Sequence, residues 1–218
     1  MMFETKKLYL IFMVAFSAAM MLGCASQNQT SNQSKMKRTV RKEMRHYEKE
    51  GWESPQDPPF EHQLVLAFQM TNELDEYGKK KYVIGEAMTV GETYDAARFQ
   101  AMNLARLDLA GKIETEIAEL IETMIDHPES ATSLFESVVN CTNSVAQKLG
   151  RIITPVDVYR ELPNGYVEVY IKAFIQHDQA INIFLETIQE EHQLDSPMLM
   201  KMLEKAFDRP SDRLPSMR

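Results

Sequence analysis

Cys24 and Cys141 are the only thiols in this chain of 218 residues, and they sit in opposite surroundings. Cys24 follows Gly23 at the seam where the apolar run of residues 8–22 gives way to Ala25, Ser26, Gln27 and Asn28. A thiol there stands at the border of an apolar and a polar segment rather than inside an apolar stripe. Cys141 lies in the series Leu134, Val138, Cys141, Val145, Leu149, an apolar stripe at helical spacing, where free cysteine behaves as a small buried hydrophobe. The histidines His46, His62, His127, His177 and His192 are scattered, with no pair at metal-ligand spacing. His177 and Asp178 stand where a strand hands over to a helix, a place for a capping Asp. No P-loop, G-x-G-x-x-G, H-E-x-x-H or G-x-S-x-G motif occurs. Acidic runs such as "EIAELIE" and "QEEH" read as solvated helix faces. These patterns name no catalytic residue, no metal ligands and no cofactor, and we expect a protein that is not an enzyme.

Around Cys24 the chain has Lys6 and Lys7, an apolar middle and the small residue Gly23, the layout of a secretory signal. The apolar run is shorter than the roughly 20 residues a membrane-spanning helix needs, so an uncleaved anchor is the weaker reading and, with a plain signal, the alternative to lipidation. Met21-Leu22-Gly23-Cys24 resembles the bacterial lipobox, with Met21 and Leu22 where that motif usually carries Leu and a small residue. The resemblance implies a signal peptide over residues 1–23, diacylglycerol on the Cys24 sulfur, and Cys24 as the mature N-terminus. Each buried acyl methylene contributes about 0.8 kcal/mol, so acyl chains such as palmitate hold a protein at a membrane without a transmembrane helix. By resemblance to lipoprotein sorting rules, Ala25 in place of Asp implies the outer membrane, and the lack of an acidic run behind it implies the periplasmic side. With Cys24 lipidated, Cys141 has no partner for an intrachain disulfide.

Residues 24–59 read as a flexible tether. Gln, Asn, Ser and Thr fill residues 26–34, too little apolar surface to offset ordering entropy. The following "KMKRTVRKEMRHYEKEGWE" is basic up to Arg45. It either lies on anionic lipid head groups, gaining about 1 kcal/mol per cation near the surface, or forms a solvated, partly helical linker. A net charge of −8 argues against a nucleic-acid partner. Pro55, Pro58 and Pro59 mark the boundary.

Residues 60–207 are then expected to form one domain, followed by a tail, residues 208–218, with no reason to be ordered. Residues 61–74 fit a helix through Leu64, Phe68 and Thr71 or strand alternation through Leu64, Leu66, Phe68 and Met70, with helix favoured; "KYVIGEAMTVG" is β-rich, and Thr93 with Asp95 starts a long helix. Its core stripe is Met102, Ala105, Leu109, Ile113, Ile117, Leu120 and Met124. Gly111 in that helix marks either a kink or a close approach. His127 and Pro128 end it, and Ser133 with Glu136 forms a capping box for the next helix, closed by Gly150. Leu162-Pro163-Asn164-Gly165 separates two β-rich runs as a hairpin turn. Ala180, Ile181, Phe184, Leu185 and Ile188 give a further helix, and residues 196–207 a short last one. The expected class is α+β: a small antiparallel sheet, one strand plus a β-hairpin, packed against long amphipathic helices.

Alternation along the hairpin puts Tyr166, Tyr170 and Phe174 opposite Val167, Val169 and Ile171, with Tyr159 joining them from the preceding strand. This row is the candidate interaction surface, unless residues 61–74 or 196–207 cover it.

"GEAMTVGETYDAARFQAMNLARLDLAGKIETEI", "QKLGRIITPVDVYRE" and "NGYVEVYIKA" together resemble the LPP20-type bacterial lipoprotein family, as in members from Bacteroidota, and more distantly the N-terminal module of flagellar assembly protein T. The resemblance spans about residues 80 to 190 and implies a small α+β module in the cell envelope, with Cys24 as the one functional residue carried over. Two roles follow as expectations. The first is a lipid-anchored structural or interaction module of the outer membrane that meets an envelope protein or itself. The alternative is a small-ligand, flavin-like binder on a dodecin-like sheet.

Overall fold

A computed structural model describes residues 23–55, 58–124 and 128–192. In chain order it has α1 (Gly23–Lys49), α2 (Phe60–Asn72), β1 (Tyr82–Gly91), α3 (Tyr94–Met124), α4 (Pro128–Lys148), β2 (Ile153–Glu161), β3 (Val167–Gln176) and α5 (His177–His192). The strands form one antiparallel sheet in the order β1-β3-β2. The class is α+β, as the sequence predicts.

Local chemistry starts and stops these elements. The Thr93 hydroxyl oxygen accepts from Ala96 N at 3.3 Å, and Asp95 places a carboxylate in the first turn of α3. In the hairpin, Gly165 adopts φ 81°, the left-handed region glycine tolerates, and Gly165 N donates to the Leu162 carbonyl at 2.9 Å. α4 opens at Pro128 instead of at Ser133. Proline suits a first helical position because its missing N–H has no intrahelical partner there anyway.

Helices α3 and α5 lie on one face of the sheet, and α4 packs against both of them. Ala105, Leu109, Ile113 and Ile117 are buried against Val169, Ile171, Ala173 and Ile175. Further along α3, Ile121 is buried and Leu120 only partly so, since successive steps of four carry the stripe to 121. Cys141 is fully buried in this core beside Val138 and Val145. Burial together with Glu191 pushes its thiol up to about 11, which leaves it protonated and inert. Close approach of helix to sheet falls on β1, not on Gly111, where an added Cβ would meet nothing within 4 Å. At Gly85 an added Cβ would collide with the Ala105 carbonyl oxygen, and at Gly91 it would lie 2.8 Å from Ala97 N. Ala97, Ala101 and Ala105 thin α3 along this seam.

The opposite face carries a second core. Val40, Trp52, Leu64, Ala67 and Met70 bury Val156, Val158 and Phe174, with Met36, Met44, Tyr47 and Phe60 packed around them. This corrects the expectation of a flexible tether up to residue 59. Met36, Val40, Met44 and Tyr47 recur at three- and four-residue steps, so one face of α1 docks while its cations stay in water. Trp52 is 5% exposed, and Arg160 lies over its ring at 4.6 Å. The folded unit therefore starts before residue 60.

Both sheet edges carry stoppers. On β2, Glu53 and Tyr159 exchange backbone bonds of 2.7 and 2.9 Å, and Asp157 N donates to the Gln63 side chain at 3.4 Å. On β1, Glu86 N donates to Asp108 Oδ2 at 2.9 Å and Lys112 Nζ donates to the Ile84 carbonyl at 2.7 Å. Such caps satisfy ladder groups that would otherwise recruit foreign strands. Residues 1–22, the expected short helix of 196–207 and the expected tail of 208–218 lie outside the described residues.

Candidate functional site

Cys24 is the second residue of α1, and the apolar run before it lies outside the described residues. No helix among the described residues is long and apolar enough to cross a membrane. From Cys24 to Met36, the first of the described side chains of α1 to dock on the domain, the helix rises about 18 Å at 1.5 Å per residue. Lys35, Lys37, Arg38, Arg41, Lys42 and Arg45 are all exposed along its docked half.

The expected aromatic row does not form one open surface. Phe174 is 0% exposed under Leu64, Ala67 and Met70 of α2, and its ring meets Tyr82 edge-on at 6.3 Å. Tyr170 is half-buried between Tyr47 and Trp52, with ring centroids 6.2 and 6.4 Å away. Its hydroxyl donates to Glu86 Oε2 at 3.1 Å, and burial, then Tyr47 and Glu86, raise its pKa far above the ordinary tyrosine value. Tyr159 pairs with Val169, which places it on the other face, against Tyr94 at 5.4 Å. Tyr166 alone stays open, at 41%. On β1, Met88 and Val90 are 52% and 44% exposed, paired with Tyr170 and Glu168 of β3 towards the hairpin end of the sheet.

The charged groups around Asp157 and His177 serve structure. Asp157 is buried at 4%, and its carboxylate accepts from Arg98 Nε at 2.5 Å and from the Tyr94 hydroxyl at 3.0 Å. The pair ties the start of α3 to β2, and burial with the Asp157 charge raises the Tyr94 pKa. His177 Nε2 lies 2.8 Å from Glu116 Oε2 and its backbone N donates to the Lys81 carbonyl at 2.9 Å, which joins α3, the residue before β1 and the start of α5. The Glu116 hydrogen bond raises the His177 pKa against the opposing effect of burial. Asp178 does not cap by enclosure: its side chain is 95% exposed, and it acts on the α5 terminus through charge. Among the described residues no three His, Cys, Asp or Glu side chains are grouped to hold a metal ion.

Sequence reasoning missed the cover over the second face. The signal was present in Met36, Val40, Met44 and Tyr47, read as linker because six cations surround them. No protein-family model, curated protein or solved structure matches this chain.

Proposed function

We propose that this chain is a non-enzymatic, lipid-anchored protein of the cell envelope, held in the outer membrane through Cys24 and facing the periplasm as a structural or protein-interaction module. The observation that carries the reading is the succession of Lys6 and Lys7, the apolar run and Gly23-Cys24. The resemblance to LPP20-type lipoproteins points the same way. α1 supports it physically: a helix that leaves the lipidated residue and docks on the sheet sets a short, stiff distance between membrane and domain, where a coil would leave it variable. Its exposed cations suit anionic head groups, at about 1 kcal/mol each when close to the surface.

For contact with a protein partner, the open strip of Met88, Val90 and Tyr166 replaces the row expected from the sequence. The flavin-like alternative needs an open sheet face for ring stacking. Phe174 and Val158, which would floor such a site, are 0% exposed, so the interaction reading is favoured. Fractionation of cells expressing the full chain tests the proposal. Wild type should sediment with outer membranes and Cys24→Ala should be released into the soluble fraction. A wild-type protein found in the soluble fraction contradicts it.

A further inference from the structure

A cleft between α3 and α4, on the side of the molecule away from the second core, has a volume of about 420 Å³ and is lined by Asn103, Arg106, Leu107, Asn143, Ala146 and Gln147. That lies within the range of about 300–1,000 Å³ common for small-ligand sites. Arg106 Nε is closed off from solvent and has no hydrogen-bond partner, the one such side-chain nitrogen or oxygen among the described residues. Buried donors are nearly always paired, and Arg106 also lines the cleft, so its guanidinium has no protein acceptor at Nε and can turn its outer N–H groups to an acceptor in the cleft.

The lining decides what that acceptor is. It holds one cation, three neutral carboxamides and no carboxylate. A planar monoanion matches the paired terminal N–H groups of a guanidinium. A phosphate dianion would leave excess negative charge in a cleft with a single cation, on a chain of net charge −8. Each carboxamide offers both a donor and an acceptor, the complement of a peptide group. Phe99 stands one helical turn before Asn103 on the same face of α3 and is 69% exposed, an open ring for an apolar side chain.

We propose that the α3–α4 cleft binds the carboxylate end of an amide-bearing ligand, such as a peptide C-terminus, with the carboxylate on Arg106 and the amides on Asn103, Asn143 and Gln147. The site goes beyond the anchoring role and does not depend on it, because binding in solution reads the cleft whether or not Cys24 is lipidated.

The full chain in detergent is titrated with N-acetyl-tetra-alanine bearing a free C-terminal carboxylate, with its C-terminal amide, with succinate and with inorganic phosphate. Saturable binding of the free acid is expected, at least tenfold weaker for the amide and for Arg106→Met, whose melting should match wild type. Asn143→Leu, which fills the cleft from α4 and keeps the cation, should abolish binding too and serves if Arg106→Met fails to fold. Succinate binding as tightly as the peptide would keep the carboxylate assignment and make a free acid the source. Equal binding of acid and amide, binding indifferent to both substitutions, binding of phosphate alone, or no saturable binding overturns the proposal.

Discussion

Gly85 of β1 lies directly against Ala105 of α3, so close that a Cβ on Gly85 would meet the Ala105 carbonyl oxygen and come within 2.6 Å of Leu109 Cγ. Backbone on one side and a fully buried side chain on the other leave no room to yield. Gly85→Ala should lower stability by about 1–3 kcal/mol or more, the usual cost of overpacking. Gly111→Ala meets nothing within 4 Å and should raise stability by about 0.5–1 kcal/mol, since alanine is the better helix former. Urea melts of the two variants check the pair, and equal effects would contradict the seam.

Phe174 and Tyr166 were neighbours in sequence logic and differ in the structure, at 0% and 41% exposure. Phe174→Ala should cost about 3–5 kcal/mol, while Tyr166→Ser should stay within about 0.5 kcal/mol of wild type. Thermal unfolding of both variants reads the contrast.

Trp52 and Val40 seal the second core from outside residues 60–207. Fully burying one large apolar side chain contributes about 1.5–3 kcal/mol. A chain starting at residue 60 should therefore melt well below one starting at residue 34 and bind a hydrophobic dye on the uncovered face. Equal melting would return α1 to the status of a linker.

His177 carries a proton more readily when folded than its ordinary value of 6.5, because Glu116 accepts from it, with Asp178 adding to the effect. A raised folded pKa means stability that is fully present below about 6.5 and lost as pH rises through the folded value. Melting curves from pH 5 to 9 should show this loss in wild type and a flatter profile in His177→Gln. An identical slope in both would remove His177 as the source.

The elements legible in the sequence were those written in local periodicity. The stripe from Ala105 to Ile117, the cap at Thr93 and the turn at Gly165 each depend on residues within a few positions of one another. Tyr159 was misplaced by a single residue of register. A four-residue turn ending at Gly165 would pair Glu161 with Tyr166, whereas the observed pair is Glu161 and Val167, and a slip of one flips every side chain to the other face. The Gly85–Ala105 contact joins elements whose approach no local pattern encodes. The proposal for Cys24 rests on adjacent residues alone. The Arg106 cleft was not legible, since Asn103 and Asn143 meet only once α3 and α4 pack.

The central claim is that Cys24 is the lipidated N-terminus of the mature protein. Mass spectrometry of the N-terminal peptide from membrane-extracted protein tests it most directly. A peptide that begins at Cys24 and carries the mass of a diacylglycerol thioether, with no such peptide from Cys24→Ala, is the predicted result. A chain that begins at Met1, or an unmodified Cys24, would contradict the account.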